Sequence, residues 1–349
     1  MSTQNISTII VTGGAGYIGS HTIIELLQQT SYNIVSIDNF SNSNKDTFDR
    51  IKAITGKNIV NYNVDICHLE ALEKTISQIE NPIGIIHFAA FKSVPQSVAE
   101  PLLYYHNNLG SLINILKICQ KFHISHFIFS SSCSVYGNVE KLPVTEQTPF
   151  SNAESPYAQT KQMGEEIVTN FAKSQSGFNS VLLRYFNPVG AHPSGLNGEY
   201  PRSKPDNLVP YITQTAIGIL QKLTVFGGDY DTRDGSCIRD YIHVSDIADA
   251  HVKALNYLID HKQKKSTSIF NLGTGNGVSV LEAVHSFEKV TQQKLNYEVG
   301  PRRAGDVINI YANNDLVKKE LNWDPKYDLD EMMLSAWKWQ LNLANEKKS

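Results

Sequence analysis

The sequence predicts an α/β fold in which a doubly wound parallel sheet is accompanied by a second, smaller α/β domain. In the first half of the chain, short apolar runs alternate with longer segments whose apolar residues recur at helical spacing. Such alternation is typical of a parallel sheet with helices on both faces. After Arg184 the composition changes, and the stretch 187–210 is rich in glycine, proline, asparagine and serine. This stretch predicts a long irregular segment at the start of a different domain.

The individual elements follow from the hydrophobic periodicity. Strands of the main domain are predicted at 7–12, 33–37, 58–62, 83–88, 126–130 and 180–185, and helices at 17–30, 44–54, 69–79, 102–122 and 157–174. Later segments predict helices at 208–220 and 329–343 and strands at 224–226 and 269–272. We place the main domain at 1–186 and the smaller one at 187–349, with part of 239–260 expected to return to the main sheet.

The composition limits the classes of protein. Among 349 residues, 41% are hydrophobic and 19% are charged, as in a globular chain. The net charge of −3 gives no general attraction to nucleic acid or to an anionic membrane. The longest nearly apolar run, 83–91, has about half of the ~20 residues that a bilayer-spanning helix needs. We therefore expect neither nucleic acid nor membrane as a partner.

The cysteines and histidines predict neither disulfides nor a metal. Cys67, Cys119, Cys133 and Cys237 lie far apart without a CxxC pair, which favours free thiols and a cytoplasmic location. The 11 histidines show neither HxH nor HExxH spacing, so no catalytic metal is expected. His243 falls in a predicted strand and is interpreted as a core histidine.

A glycine-rich segment directly follows the first predicted strand and opens the first predicted helix. Gly13, Gly16 and Gly19 suit a tight turn, close approach to a pyrophosphate and close helix–strand packing. The helix N-terminus adds free N–H groups and a positive dipole end. Asp38 ends the second strand 19 residues after Gly19, where an acid binds an adenosine ribose. Because 37–44 contains no arginine or lysine to neutralise a 2′-phosphate, we expect a Rossmann-type site for NAD rather than NADP.

Two further positions near this site have two interpretations each. Asp65 follows the third predicted strand and either accepts a hydrogen bond from an adenine amino group or caps the next helix. Lys92 follows the fourth strand and is either a solvated loop charge or a donor to ribose and phosphate.

The candidate catalytic residues are Ser132, Tyr157 and Lys161. Ser132 lies just after the fifth predicted strand, so its hydroxyl is expected at the edge of the sheet where a cofactor binds. Tyr157 and Lys161 lie one helical turn apart on one face. A free tyrosine has a pKa of about 10, and we expect the lysine ammonium and a nicotinamide cation to lower it. The three groups together suit removal of a proton from an alcohol.

These residues carry a resemblance to a known family. The glycine pattern and the Ser132/Tyr157/Lys161 set resemble the extended short-chain dehydrogenase/reductase family. The stretches 13–22, 183–192, 239–244 and 301–306 are similar to its UDP-glucose 4-epimerase branch, and the likeness runs from about residue 7 to 343. The resemblance implies an isomerase of galactose metabolism that interconverts UDP-glucose and UDP-galactose. In that family NAD stays bound, the sugar is oxidised at C4, and the 4-keto sugar rotates before the hydride returns.

The resemblance also implies residue roles and a homodimer formed through the helices 102–122 and 157–174. It makes Tyr157 the base, Lys161 its electrostatic partner and ribose ligand, and Ser132 the hydroxyl relay. Together with the residues derived above, the NAD contacts are Gly13, Gly16, Tyr17, Ile18, Gly19, Asp38, Asn39, Phe40, Ser41, Asn42, Ser43, Asp65, Ile66, Phe88, Ala89, Ala90, Phe91, Lys92, Asn107, Ser132, Tyr157, Lys161 and Phe186. The UDP-sugar contacts are Lys92, Ser132, Tyr157, Asn187, Asn207, Leu208, Thr224, Val225, Phe226, Arg239, Arg303, Asp306 and Ile310.

Two of these groups have a physical rationale of their own. Arg239 and Arg303 are planar, permanently charged groups suited to diphosphate oxygens, although either one is also compatible with a surface salt bridge. Ile310 aligns with a pocket wall where tyrosine restricts relatives to glucose and galactose, while a small residue admits 2-acetamido sugars. Isoleucine is intermediate in volume and stiff at Cβ, so weak activity on the N-acetyl sugars is expected.

Other functions remain as alternatives. A nucleotide-sugar 4,6-dehydratase shares the cofactor and the Ser/Tyr/Lys set, but those relatives place an Asp-Glu pair where Cys133 and Ser134 follow Ser132 here. A decarboxylase acting on a uronic acid is a second alternative, although nothing in the sequence selects a C6 carboxylate. A non-catalytic NAD-sensing scaffold is a third, and such proteins tend to lose the tyrosine or the lysine that this chain retains.

Overall fold

The computed structural model describes residues 6–303 and 307–346 and divides into two compact units. The first unit comprises Met1–Gly137, Phe150–Arg184 and Ala248–Phe270. The second unit comprises Asn138–Pro149, Tyr185–Ile247 and Asn271–Ser349.

The strands and helices of the described residues are numbered in chain order. The strands are β1 (Thr8–Thr12), β2 (Asn33–Ile37), β3 (Val60–Tyr62), β4 (Pro82–His87), β5 (His126–Ser132), β6 (Asn179–Tyr185), β7 (Asn187–Val189), β8 (Leu223–Phe226), β9 (Ile238–Arg239), β10 (Tyr241–His243), β11 (Thr267–Leu272), β12 (Val278–Ser279), β13 (Tyr297–Gly300) and β14 (Asn309–Ile310). The helices are α1 (Tyr17–Gln29), α2 (Thr47–Thr55), α3 (Leu69–Ile76), α4 (Val94–Ala99), α5 (Pro101–Tyr104), α6 (Gly110–Lys121), α7 (Pro156–Ser174), α8 (Leu208–Ala216), α9 (Val244–Ile259), α10 (Val280–Thr291), α11 (Asp315–Leu321) and α12 (Leu329–Glu346).

The first unit is built on a seven-stranded sheet in the order β11-β6-β5-β4-β1-β2-β3. β1 pairs in parallel with both β2 and β4, and β4 pairs in parallel with β5. The chain runs outward from β1 through β3 on one side, then returns to β4 and runs outward on the other. This reversal of strand order makes the sheet doubly wound, as predicted, and ligands bind such sheets beyond the strand ends at the reversal.

Local sequence explains where the helices of the first unit begin and how they are held. α7 starts at Pro156 directly after Ser155, whose hydroxyl accepts the N–H of Ala158 at 3.2 Å. The buried face of α6, including Leu112 and Ile115, belongs to one apolar core with residues of β5 and α7. Burial of this kind contributes about 1.5–3 kcal/mol per large apolar side chain.

The second unit contains smaller sheets in its described residues, in the orders β10-β7, β12-β9-β14 and β13-β8. Its core combines Ile212 of α8, Phe287 of α10 and Met333 of α12. A capping box between Ser279 and Glu282 fixes the start of α10.

Several elements of the second half, among them α9, α10 and α11, were not predicted, and three predicted segments differ from the structure. The predicted helix 102–122 is preceded by α4 and contains a π-helical turn, Tyr105–Leu109, between α5 and α6. The predicted helix 208–220 ends at Ala216, because Gly218 adopts a left-handed conformation with φ of +83°. The segment 187–210 begins with a short strand, β7, that pairs with β10.

The compact units can be compared with the predicted domains. The chain leaves the first unit after Arg184, two residues before the predicted boundary at 186. It returns to that unit for Ala248–Phe270. The segment Asn138–Pro149 groups with the second unit, since Val144 exchanges backbone hydrogen bonds with Tyr311 and Asn313. The sequence could not predict that this segment belongs to the second unit, because two backbone hydrogen bonds leave no pattern of hydrophobic residues.

Candidate active site

The predicted cofactor residues of the first unit lie in segments that follow successive strands of its sheet. Gly13 to Gly19 follow β1, Asp38 to Ser43 follow β2, Asp65 and Ile66 come shortly after β3, and Phe88 to Lys92 follow β4. Since these strands are parallel, the segments share one edge of the sheet, at the reversal between β1 and β4.

Steric crowding explains the glycines of the β1–α1 turn. Gly13 has φ of +71°, and a Cβ there would lie 2.8 Å from the backbone nitrogen of Ala89. A Cβ on Gly19 would lie 2.3 Å from the carbonyl oxygen of Gly13, so helix and turn are also in backbone contact. A Cβ on Gly14 would likewise collide with the Ser36 hydroxyl, although the glycine spacing in the sequence did not single out this position.

The N-terminus of α1 is open to an anion. Gly16 occupies the cap position and has no side chain to accept the first N–H groups of the helix. A Cβ at Gly16 would meet only the Gly13 carbonyl oxygen, at 3.1 Å. Free N–H groups and the helix dipole at such a terminus favour a phosphate.

The carboxylate of Asp38 is held in place by its own loop. It accepts the N–H of Ala15 at 2.9 Å, the N–H of Phe40 at 2.8 Å and the hydroxyl of Ser43 at 2.7 Å. These bonds tie the acid to the glycine-rich turn and leave further acceptor capacity on its two oxygens.

The two positions with open interpretations also have defined neighbours. Asp65 Oδ1 accepts the N–H of Cys67 at 2.9 Å, just before α3, which is a local capping contact. Lys92 is exposed, with Nζ 6.0 Å from the ring centroid of Tyr17. Asn107 lies in the π-helical turn and accepts weak hydrogen bonds from the Cys67 thiol.

Ser132, Tyr157 and Lys161 come together in the first unit. Ser132 is the last residue of β5, and its hydroxyl forms a hydrogen bond with the phenol of Tyr157. Lys161 is buried; its Nζ donates to the Ser130 carbonyl at 2.6 Å and lies 5.9 Å from the Tyr157 ring centroid.

Burial dominates the proton affinities of this group. It raises the pKa of Tyr157 to about 12, against the opposing effect of the hydrogen bond with Ser132. Burial likewise lowers the pKa of Lys161 to about 8, against the carboxylate of Glu165. In the protein by itself the pKa of Tyr157 is thus raised and not lowered as expected, because desolvation of the phenolate outweighs the hydrogen bond with Ser132.

The predicted substrate residues from Asn187 onward lie in the second unit, where Phe186 is also placed. Asn187 begins β7, and its Oδ1 is buried without a hydrogen-bond partner. Asn207 precedes α8, of which Leu208 is the first residue, and donates to Glu199 at 2.8 Å. Phe186 is buried between β6 and β7.

The remaining substrate residues of the second unit surround the strands β8, β9 and β14. Thr224 to Phe226 lie in β8, and the Arg303 guanidinium lies 5.4 Å from the Phe226 ring centroid. Ile310 is buried and lies opposite Arg239 in the β14–β9 register. Asp306 lies outside the described residues.

Some polar residues of the site were not found from the sequence. Glu165 and Arg184 form a buried ion pair beside Ser131. Asn108 binds both the N–H and the carbonyl of Phe91 and thereby holds the segment after β4. Of these residues, only Glu165 could have been suggested by the sequence, because it lies one helical turn beyond Lys161 on the same helix face.

His243 has the surroundings of a core histidine. It is buried, accepts the N–H of Ser245 at Nδ1 and contacts the Ser335 hydroxyl at Nε2. Its ring stacks on Tyr327 with centroids 4.1 Å apart. Across the described residues, no group of three or more His, Cys, Asp or Glu side chains is arranged to hold a metal ion. None of the helices in the described ranges is both long enough and apolar enough to cross a membrane.

Comparison with known proteins gives consistent matches over almost the whole chain. A family model described as GDP-mannose 4,6 dehydratase matches residues 10–335. The UDP-glucose 4-epimerase of Bacillus subtilis is 46% identical over 342 residues, which cover 98% of this chain and 99% of that protein. The crystal structure of the Stenotrophomonas maltophila UDP-glucose 4-epimerase, with bound NAD and formylated UDP-arabinopyranose, has a TM-score of 0.93 at 40% identity, covering 97% of this chain and 99% of that one. The Bifidobacterium longum enzyme in complex with NAD+ and UDP gives 0.91 at 43% identity, with the same coverage.

The protein has a doubly wound sheet, a glycine-rich β1–α1 turn at the reversal of strand order, and the Ser132/Tyr157/Lys161 set. These features define an extended short-chain dehydrogenase/reductase. Within that class, the chain belongs to the UDP-glucose 4-epimerase family. The resemblance drawn from the sequence motifs is confirmed. The dehydratase description of the family model does not by itself select a reaction, because Cys133 and Ser134 follow Ser132 where an Asp-Glu pair is expected in a dehydratase.

The crowding at Gly13 predicts a selective loss of cofactor binding. Gly13→Ala and Gly56→Ala both place alanine at a φ near +70°, which costs about 1–2 kcal/mol of stability. A Cβ at Gly56 meets nothing within 4 Å, whereas at Gly13 it collides with Ala89. We expect both variants to fold with lower melting temperatures and only Gly13→Ala to lose affinity for NAD, as measured by calorimetry. Equal NAD affinity in the two variants would contradict this account of the turn.

Proposed function

We propose that the chain interconverts UDP-glucose and UDP-galactose by removing and returning hydride at C4 of the sugar. The observation that carries the proposal is the arrangement of Ser132, Tyr157 and Lys161, with a hydroxyl on the phenol and an ammonium near its ring. Curated relatives of 44–46% identity over nearly the full chain are named UDP-glucose 4-epimerase, which supports this reaction over dehydration.

NAD is the cofactor, and the first unit fits it. The uncapped N-terminus of α1 suits the pyrophosphate, and the carboxylate of Asp38 suits a ribose diol. The loop after β2 carries no cation for a 2′-phosphate up to Asn44. The chemistry that NAD supplies when bound is removal of hydride from C4, its return to the opposite face of the sugar, and a positive charge beside the tyrosine.

The protein's own groups move the proton. Tyr157 removes the proton from the C4 hydroxyl, and Ser132 relays it through the hydrogen bond that the two side chains share. Lys161 stays charged below a pH of about 8 and thereby favours the phenolate that burial disfavours. Activity is therefore expected to decline at alkaline pH, as the ammonium is lost.

The second unit recognises the UDP-sugar. Arg239 and Arg303 bind the diphosphate, because guanidinium groups form charged hydrogen bonds with phosphate oxygens. The buried, unpartnered Oδ1 of Asn187 is an acceptor suited to a donor on the ligand. The segments around Asn207 and β8 supply further contacts with the UDP-sugar, as the family resemblance implies.

The proposal is tested by incubating the purified protein with UDP-galactose in the absence of added NAD. We expect conversion to UDP-glucose and release of NAD from the denatured protein, since epimerisation returns the hydride and gains nothing from cofactor exchange. A protein that contains no nicotinamide dinucleotide and works only with added NADP would overturn the proposal. Release of a 4-keto-6-deoxy product would instead support the dehydratase alternative.

The base assignment predicts the effect of Tyr157→Phe. We expect turnover to fall by about 10²–10⁴-fold while the affinity for UDP-sugar stays close to that of the wild type. The control is Tyr200→Phe, which removes the same hydroxyl from a partly exposed tyrosine of the second unit. Steady-state kinetics and calorimetric binding of UDP measure both quantities. Near-wild-type turnover in Tyr157→Phe would remove Tyr157 from the mechanism.

The environment of Ile310 predicts a graded sugar preference. Its backbone is fixed by the pairing with β9 opposite Arg239, so side-chain volume is the variable part of this wall. Overpacking costs about 1–3 kcal/mol, which disfavours the N-acetyl sugars without excluding them. We expect Ile310→Ser to raise, and Ile310→Tyr to suppress, activity on UDP-N-acetylglucosamine relative to UDP-glucose. Competition assays decide the matter, and identical ratios in all three proteins would show that Ile310 does not line the pocket.

The chain is proposed to act as a homodimer in the cytoplasm. Exposed apolar side chains lie on α4, α5 and α6 and on α7, which contacts each of the other three helices: Val94, Val98, Leu102, Leu103, Ile113 and Met163. Leu102 is 81% exposed and Val98 61%. Exposed apolar side chains on neighbouring helices are typical of an interface, and a second copy of the chain fits the expected pairing of these helices. The free cysteines support a reducing compartment.

The dimer surface is tested by Leu102→Glu. We expect the charge to prevent burial of this patch and to shift the protein to monomers in sedimentation experiments. The matched control is Ile219→Glu, a comparable change at a 56% exposed position of the second unit, which leaves the dimer intact. A dimer that survives in Leu102→Glu, or a wild-type protein that is monomeric, would show that this surface does not mediate association.

A further inference from the structure

A buried ion pair lies one helical turn beyond Lys161. Arg184 of β6 donates from Nε to Glu165 Oε1 at 2.9 Å and from one terminal nitrogen to Oε2 at 2.7 Å, so the contact is bidentate. Both side chains are 3% exposed. Burial would lower the pKa of Arg184, but Glu165 and Tyr136 outweigh it and raise that pKa, so the guanidinium remains charged.

The pair connects the backbone on both sides of Ser132. The Ser131 hydroxyl donates to Glu165 Oε1 at 2.5 Å, and Arg184 donates to the Tyr136 hydroxyl at 2.8 Å. Tyr136 ends the short 3₁₀ turn that follows Ser132, while Glu165 belongs to the helix that carries Tyr157 and Lys161. The pair therefore links the residues on both sides of Ser132 to the helix that carries Tyr157 and Lys161, in addition to the bonds from Lys161 to Ser130 and from Gln162 to Val135.

Among the charged and titratable neighbours of Lys161, Glu165 is the carboxylate that favours its protonated form. These neighbours are Glu165 and Tyr157 on its own helix, His87 on β4, and Arg184 behind Glu165 on β6. His87 is neutral, because burial and the charge of Lys161 lower its pKa to about 3. Glu165 thus supports the protonated form of Lys161 against burial.

Stability alone does not account for a buried ion pair at these two positions. Buried ion pairs are costly to desolvate, and a neutral pair of similar volume often folds as well or better. We propose that Glu165 and Arg184 are positioning residues of the epimerase reaction, which hold Ser132 against Tyr157 and keep Lys161 charged. This inference rests on the proposed function of those three residues.

The decisive variant is the double substitution Glu165→Gln/Arg184→Met, which removes both charges without leaving either one unpaired. Glu165→Gln by itself is measured alongside, and Glu73→Gln is the control because it breaks the exposed Glu73–Lys121 pair far along the chain from the site residues. Circular dichroism and thermal unfolding establish folding. Steady-state kinetics with UDP-galactose are recorded from pH 6 to pH 10, together with KM and turnover of Tyr157→Phe.

We expect the folded double variant to lose turnover on the order of 10- to 100-fold with KM unchanged, as for a displaced catalytic group. Its loss of activity at alkaline pH should begin at lower pH than in the wild type, because Lys161 loses the carboxylate that favours its charge. Glu73→Gln should match the wild type in both respects. A double variant that does not fold, or whose turnover or alkaline limb matches the wild type, overturns the inference. An inactive wild type, or an active Tyr157→Phe, would instead defeat the proposed function.

Discussion

The site depends on how closely three strand ends approach at the reversal of the sheet. Gly13 donates its N–H to Ile37 at the end of β2, and Phe88 donates to Thr12 at the end of β1. A side chain at Gly13 would collide with the backbone of Ala89. Only glycine satisfies this spacing, so the turn that presents the helix N-terminus to a phosphate is fixed by packing before any ligand binds. The acid after β2 and the segment after β4 then lie beside it, because they are attached to the same strand ends.

A second constraint is that the catalytic groups work in a buried environment. Desolvation opposes every charge there: it keeps His87 neutral, lowers the pKa of Lys161 to about 8 and raises that of Tyr157 to about 12. The compensating groups are the Ser130 carbonyl, the Ser132 hydroxyl and the Glu165 carboxylate. The tyrosine is therefore not a base by itself and needs a positive charge brought to it. This makes proton removal conditional on an assembled site, which suits an enzyme that must not release a 4-keto sugar.

The sequence predicts the sheet and the positions of the site residues better than it predicts their electrostatics. Strand–helix alternation and the glycine spacing depend on local pattern, and β1 through β6 appear within a few residues of their predicted bounds. The π-helical turn at Tyr105–Leu109 was missed because no periodicity distinguishes it from an α-helix. The partner of Glu165 lies 19 residues away on β6, and the depth of Tyr157 depends on the whole core. Such long-range contacts and burial have no signature in a single sequence.

In the second unit, a buried carboxylate anchors the backbone around Arg239 and Ile310. Asp240 is fully buried beside Arg239, and its carboxylate accepts the N–H groups of Thr274, Gly275 and Ala312 at 2.8–3.1 Å. Burial raises its pKa, and these backbone donors act in the opposite direction. One carboxylate thus holds the loop after β11 and the chain just beyond β14, while the β9 register holds β14 itself. With its backbone anchored on both sides, Ile310 can change in volume without moving Arg239. Under the proposed assignment, a change at Ile310 alters the sugar preference and leaves the proposed diphosphate contact of Arg239 in place.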